Sequence, residues 1–210
     1  MMSVIERLAF SLGRRDDVPN QELARELATT QAVDEIRELV ENLRNRDRNI
    51  QSDCIKVLYE IGYIAPELIA EYAGEFLSLL RSRSNRLVWG GMISLSTIAA
   101  LNTPPLYEHR EEIKQAIEKG SVITVDRGIK CLSTVAAQRT DYREELWPYL
   151  LQHLASCRPK DVPQHAEAIL EAVAAENKAA FIEVVKRRME DMRPSQARRS
   201  KKVIASADKI

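Results

Sequence analysis

"SLSTIAA" at residues 94–100 returns as "CLSTVAA" at 131–137, a shift of 37 residues. Carried along the chain, that shift aligns Ile55 with Met92, Ile129 and Ala166, and Leu58 with Leu95, Leu132 and Ile169. It also aligns Ile61 with Ile98, Val135 and Ala172. The three columns are spaced i, i+3, i+6, so four helices carry the same apolar stripe. Between them a second set shares Leu39, Phe76, Ile113 and Leu150, then Leu43, Leu80, Ile117 and Leu154. Each unit is a helix pair, and a period of this length predicts a stack of pairs. Start signals fit: Pro66 in a first turn, Thr103 as a cap before Pro104, Thr140 and Asp141 before "YREELW", and Asn177 before "KAAFIEVV".

Composition agrees. The 210 residues are 45% hydrophobic and 30% charged, enough for a core, while only 7 glycines and 5% aromatics argue for helix rather than sheet. The 31 basic and 31 acidic residues cancel, so no global field draws in nucleic acid or an anionic membrane. The charge is unevenly placed: nine basic residues against three acids from Lys186 onward leave +6 there and −6 on the rest. The uncharged run 87–107 contains serines, threonines and the pair Pro104 and Pro105, too polar for a membrane span. Three cysteines without CxxC spacing, and an N-terminal "MMSVIERLAFSLGRRDD" lacking a signal pattern, predict a cytoplasmic protein with reduced thiols.

The segment "REELWPYLLQHLASCRPKDVPQHAEAILEAVAA" (143–175) resembles a HEAT repeat, with Pro148 in its first helix and Asp161 in its turn. The same phasing gives 1–30 as N-terminal capping helices, repeats at 32–63, 66–100, 104–137 and 141–175, and 178–210 as a basic C-terminal capping repeat. The resemblance implies one domain, an all-α right-handed α-α superhelix: a HEAT- or armadillo-like solenoid of about five helix pairs. One family feature is missing. The column that usually carries arginine reads Gln51, Val88, Val125 and Val162, so the usual ladder between repeats is not expected.

A repeat is its own control, because a residue that departs from its column needs a reason. Trp89 stands with Ser52, Asp126 and Pro163; Ile93 stands with Lys56, Lys130 and Glu167. At i and i+4 the two share one helix face. The HEAT resemblance implies that second helices line the concave surface, which would make Trp89 and Ile93 partner anchors flanked by Lys56, Arg127 and Lys130. The alternative is that curvature, the N-terminal segment or a homodimer covers this face. Gly91 sits in a mostly small column with Cys54, Gly128 and His165, explained by close packing. Gly90 stands with Asp53, Arg127 and Gln164, where close approach of another chain is one reading.

Carboxylates also recur: Asp34, Glu71, Glu108 and Glu145 form one row, and Glu38, Glu75 and Glu112 the next. With repeats about 10 Å apart, they could form an acidic strip for a basic segment, or a solvated outer face. Basic residues of the turns, among them Arg44, Arg81 and Arg86, either track phosphates along a rim or complement helix C-termini.

No phosphate loop, GxSxG, HExxH or CxxC is present, so no enzyme activity and no cofactor is expected. His153 and Cys157 at i, i+4, with Asp161 and His165 following, can be drawn as a zinc site. Without the usual close ligand pairs, the preferred reading is a surface histidine beside a core cysteine, and no metal. The predicted function is a non-catalytic scaffold binding a protein or peptide. The alternative is a nucleic-acid-binding protein, either resembling HEAT-like DNA glycosylases, with Trp89 and Asp126 in the groove, or associated with RNA or the ribosome through the basic end.

Overall fold

The computed structural model describes residues 3–210, which form twelve α-helices and six short 3-10 turns with no strand among the described residues. The chain divides into two compact units, residues 1–127 and 128–210, and the boundary falls inside one helix, Val122–Gln138.

In the first unit α1 (Val18–Thr30) packs on α3 (Arg48–Ile64), and α3 packs on α5 (Asn85–Ile98). These are second helices of successive pairs. α2 (Val33–Glu41) packs on α3, and α4 (Ala73–Leu79) on α5, as the first helices. α6 (Thr103–Glu108) and α7 (Arg110–Lys119) lead into α8 (Val122–Gln138). Residues 66–72 form two 3-10 turns instead of the helix start that Pro66 suggests. Thr103 is not a cap: it opens α6, and its hydroxyl donates back to the Ala99 carbonyl at 3.2 Å. Asp47 caps α3, its carboxylate accepting from the Asn49 N–H at 2.8 Å. The N-terminal segment is tied down by Glu38, which accepts from Ser3 Oγ and the Val4 N–H, and by buried Asn20, which accepts from the Ala9 N–H.

In the second unit α9 (Thr140–Ser156) packs on α10 (Val162–Ile169) and α11 (Lys178–Arg188), and α12 (Pro194–Ala207) covers α10 and α11. Arg188 donates to the Ala155 and Cys157 carbonyls, satisfying acceptors that the end of α9 leaves without an intrahelical partner.

All the residues of the apolar columns named above lie in the cores of their units, none more than 9% exposed. Burying a ring as completely as Phe76 or Phe181 contributes about 1.5–3 kcal/mol. The 37-residue register is therefore the register of the core.

Candidate functional site

The second-helix face of the first unit carries an aromatic row. Trp89, half-buried on α5, places its indole 5.9 Å from the ring of Tyr59 on α3, tilted by 54°. Tyr63, one turn further along α3 and 48% exposed, meets Tyr59 edge-on at 6.2 Å. Cations cover both ends: the Arg86 guanidinium is 5.7 Å from the Trp89 ring, and that of Arg127 is 5.6 Å from the Tyr63 ring. Burial is the main cause that pushes the Tyr59 and Tyr63 hydroxyls above their ordinary pKa, against the pull of Lys56 and Arg127 respectively. Both tyrosines escaped the column comparison. Their i, i+4 spacing on α3 was the available signal.

Ile93 does not stand beside Trp89 at the surface; it is only 6% exposed. The reason lies one turn back, where Gly90 closes against α3: a Cβ on Gly90 would meet Ile55 Cγ1 at 2.6 Å. Gly90 and Ile93, at i and i+3, share the face that enters this seam. Gly90 thus has a packing role inside the chain, and approach of another chain is not needed to explain it. Gly91 packs on the other side, where a Cβ would lie 2.9 Å from the Phe76 carbonyl oxygen.

Lys56 is also drawn inward, 6% exposed, with its ammonium 2.7 Å from Glu60 and 3.4 Å from Asp17. Burial disfavours its charge, but hydrogen bonds to Glu60 and Tyr59 outweigh that and raise its pKa. Asp17 also lies 3.8 Å from Arg86, and the Phe10 N–H donates to Asp53 at 2.8 Å. The N-terminal segment therefore covers the starts of α3 and α5. It leaves a cleft of about 480 Å³ lined by Arg14, Asp16, Asn49, Ser52 and Arg86. Arg127 remains half-exposed, and Lys130, in the second unit, pairs with Glu171.

The two carboxylate rows separate by burial. Asp34, Glu71 and Glu108 in the first unit, and Glu145 in the second, are exposed. Glu38, Glu75 and Glu112 are half-buried and engaged: Glu38 by Ser3 and Val4, Glu75 by Arg44 at 2.6 Å, and Glu112 by a bidentate Arg81 at 2.7 Å. Arg44 with Glu75 and Arg81 with Glu112 repeat at 37 residues. A ladder between repeats exists after all, built from turn arginines and first-helix glutamates rather than the family's usual column. These arginines are ladder partners, not free rim charges.

In the second unit His153 Nε2 and His165 Nδ1 lie 2.9 Å apart, and with Cys157 they bring three ligand atoms within 4.8 Å of one another. The buried member is His165, at 2% exposed, while His153 and Cys157 are half-buried. The expected contrast of a surface histidine with a core cysteine is absent, since His153 and Cys157 are alike half-buried and the core residue of the group is His165. Asp161 is not among these ligands and is held by Arg158 at 2.6 Å. All three cysteines are free. Burial pushes Cys54 and Cys131 up to about 12 and Cys157 to about 11, the last held back by Arg188. Of the basic C-terminal residues, Arg188 and Arg199 serve the second unit, Arg199 through Glu167. Among the described residues no helix is long and apolar enough to cross a membrane.

No protein-family model and no curated protein sequence matches the chain. Solved structures do. An engineered protein from a structural genomics consortium aligns with TM-score 0.68 and 16% identity over 100% of both chains. A designed armadillo repeat protein in complex with the peptide (KR)4 aligns with TM-score 0.68 and 14% identity over 98% of each. The HEAT-repeat protein Kap121p aligns with TM-score 0.66 and 12% identity, covering 91% of this chain but only 22% of its own. At these identities the likeness is one of fold. With its helix pairs and their 37-residue register, the chain has the all-α, right-handed α-α superhelix fold of HEAT/armadillo-like solenoids.

Proposed function

We propose that this chain is a non-catalytic, cytoplasmic scaffold that binds a protein or peptide through the second-helix face of its first unit. The observation that carries the reading is Trp89, half-buried and held between Tyr59 and Arg86. A large, rigid aromatic surface prepaid in entropy is what an interface anchor requires. Trp89 and Tyr63 are the apolar contacts; Arg86 and Arg127 select an acidic segment. Ile93 and Lys56 shape the face from beneath. Supporting this use of the fold, a designed armadillo protein has been solved with (KR)4, and Kap121p with Ste12p. The basic peptide of that design predicts the opposite charge preference from this site. The exposed row Asp34, Glu71 and Glu108 is the alternative surface for a basic segment.

The test titrates two labelled peptides into the protein, an acidic one containing aromatic residues and (KR)4, following binding by anisotropy. The acidic peptide should bind, and Trp89→Ala should weaken it by about 30-fold, the loss of a typical hot spot. Arg127→Glu should weaken it as well, while circular dichroism stays unchanged. Binding of (KR)4 alone, insensitive to Trp89→Ala, would transfer the function to the acidic rows. Retention on heparin at moderate salt, lost on truncation after Arg193, would favour the nucleic-acid reading instead.

A further inference from the structure

The repeat register isolates one position in the second unit. The column that reads Cys54, Gly91 and Gly128 ends in His165, a buried imidazole where the other repeats keep small side chains. At the equivalent position in the first unit the seam between first and second helix is tight: a Cβ on Gly91 would lie 3.0 Å from Leu79 Cβ. Two periods on, Leu79 becomes His153 and Gly91 becomes His165. The chain has therefore exchanged an aliphatic contact with glycine for two facing imidazoles, His153 Nε2 to His165 Nδ1 at 2.9 Å. Cys157, four residues after His153, brings its sulfur to the same point, with all three ligand atoms within 4.8 Å of one another.

We propose that His153, Cys157 and His165 bind a borderline-soft divalent cation, Zn2+ foremost, clamping the last turn of α9 to α10. The donor set supports this choice, because imidazole and thiolate favour zinc over magnesium or calcium. The spacing supports it too. A tetrahedral ion holds two nitrogens and a sulfur about 3.3–3.6 Å apart, while here the facing nitrogens stand at 2.9 Å and all three ligand atoms lie within 4.8 Å of one another. On binding, the facing nitrogens of both neutral rings coordinate, and the ring whose facing nitrogen carries the proton of the His153–His165 hydrogen bond shifts that proton to its other nitrogen. The thiol releases its proton to solvent, leaving a complex of charge +1. Three protein ligands leave a fourth position for water or a partner's side chain. Arg188, on the Cys157 carbonyl, favours the thiolate, and Asp161, engaged by Arg158, is not needed.

The experiment is equilibrium dialysis of the full chain against Zn2+, Co2+ and Mg2+, with absorption spectra of the Co2+ form and thermal melts. The expected result is one Zn2+ or Co2+ per chain, no Mg2+, and thiolate-to-cobalt charge transfer in the near ultraviolet. Free Zn2+ at a hundredfold excess over Kd should raise Tm by about 5–10 °C. Cys157→Ser should abolish the charge-transfer band, and both it and His153→Gln should weaken binding by more than about 100-fold. Cys131→Ala should leave the band intact. Failure to bind at one ion per chain, or binding unchanged in both ligand variants, overturns the proposal. Should a variant lose its helicity, alkylation decides on the wild type. Zn2+ should slow modification of Cys157, read by peptide mass, and equal rates with and without Zn2+ overturn the site.

Discussion

Gly91 shows how much a single residue's reading depends on its neighbours. By helix propensity alone, alanine there should stabilise α5 by about 1 kcal/mol. Its Cβ would meet the Phe76 carbonyl at 2.9 Å and Leu79 Cβ at 3.0 Å, and backbone cannot yield cheaply. Overpacking of this kind costs about 1–3 kcal/mol, so Gly91→Ala should be destabilising on balance. Gly74 on α4 is the control, because its Cβ would meet nothing within 4 Å, and Gly74→Ala should stabilise by about 0.5–1 kcal/mol. Urea denaturation midpoints of the two variants, moving in opposite directions, check the assignment. Sequence columns flagged Gly91 as a packing residue but not Gly90 or Ile93, because a column records residue type and not which face of α5 meets α3.

At the scale of elements, helix ends and inter-repeat contacts show what local chemistry decides. α1 closes on Gln31 in the left-handed region, φ 52°, with its N–H donating to the Leu27 carbonyl. A non-glycine residue there costs about 1 kcal/mol, so Gln31→Gly should stabilise the protein by that order and raise Tm by about 2–4 °C. Calorimetry showing no rise would mean that Gln31 makes a compensating contact. The ladder of Arg44 with Glu75 and Arg81 with Glu112 was hidden for a different reason. The partners are 31 residues apart while the repeat is 37, so each pair joins two different columns. A residue's place in the period does not name its partner in another column.

For the whole molecule, buried thiols link stability to alkaline pH. Cys131 has its pKa raised by burial from 9.0 to about 12, and Cys54 likewise by burial, assisted by Asp53 and Glu38. A group with a raised folded-state pKa favours the fold fully below its unfolded value and loses that contribution as pH rises. Stability should therefore fall between pH 9 and 12, by on the order of 3 kcal/mol for Cys131. Denaturation midpoints across that window should show the decline, and Cys131→Ala should flatten it. An unchanged slope in the variant would contradict the burial.

Helix content, the pairing of helices, the 37-residue register and the apolar columns at the heart of each core were determined by the sequence alone. A repeated amphipathic pattern can bury its stripe in only one way, by stacking on the next copy. Tertiary structure decided what depends on the distance between columns. It placed Ile93 and Lys56 inside and left Trp89 half out beside Tyr59. It spent Glu75 and Glu112 on arginines and brought His153, Cys157 and His165 to one point. Periodicity fixes which face a residue occupies. Only the packed neighbours fix what that face meets.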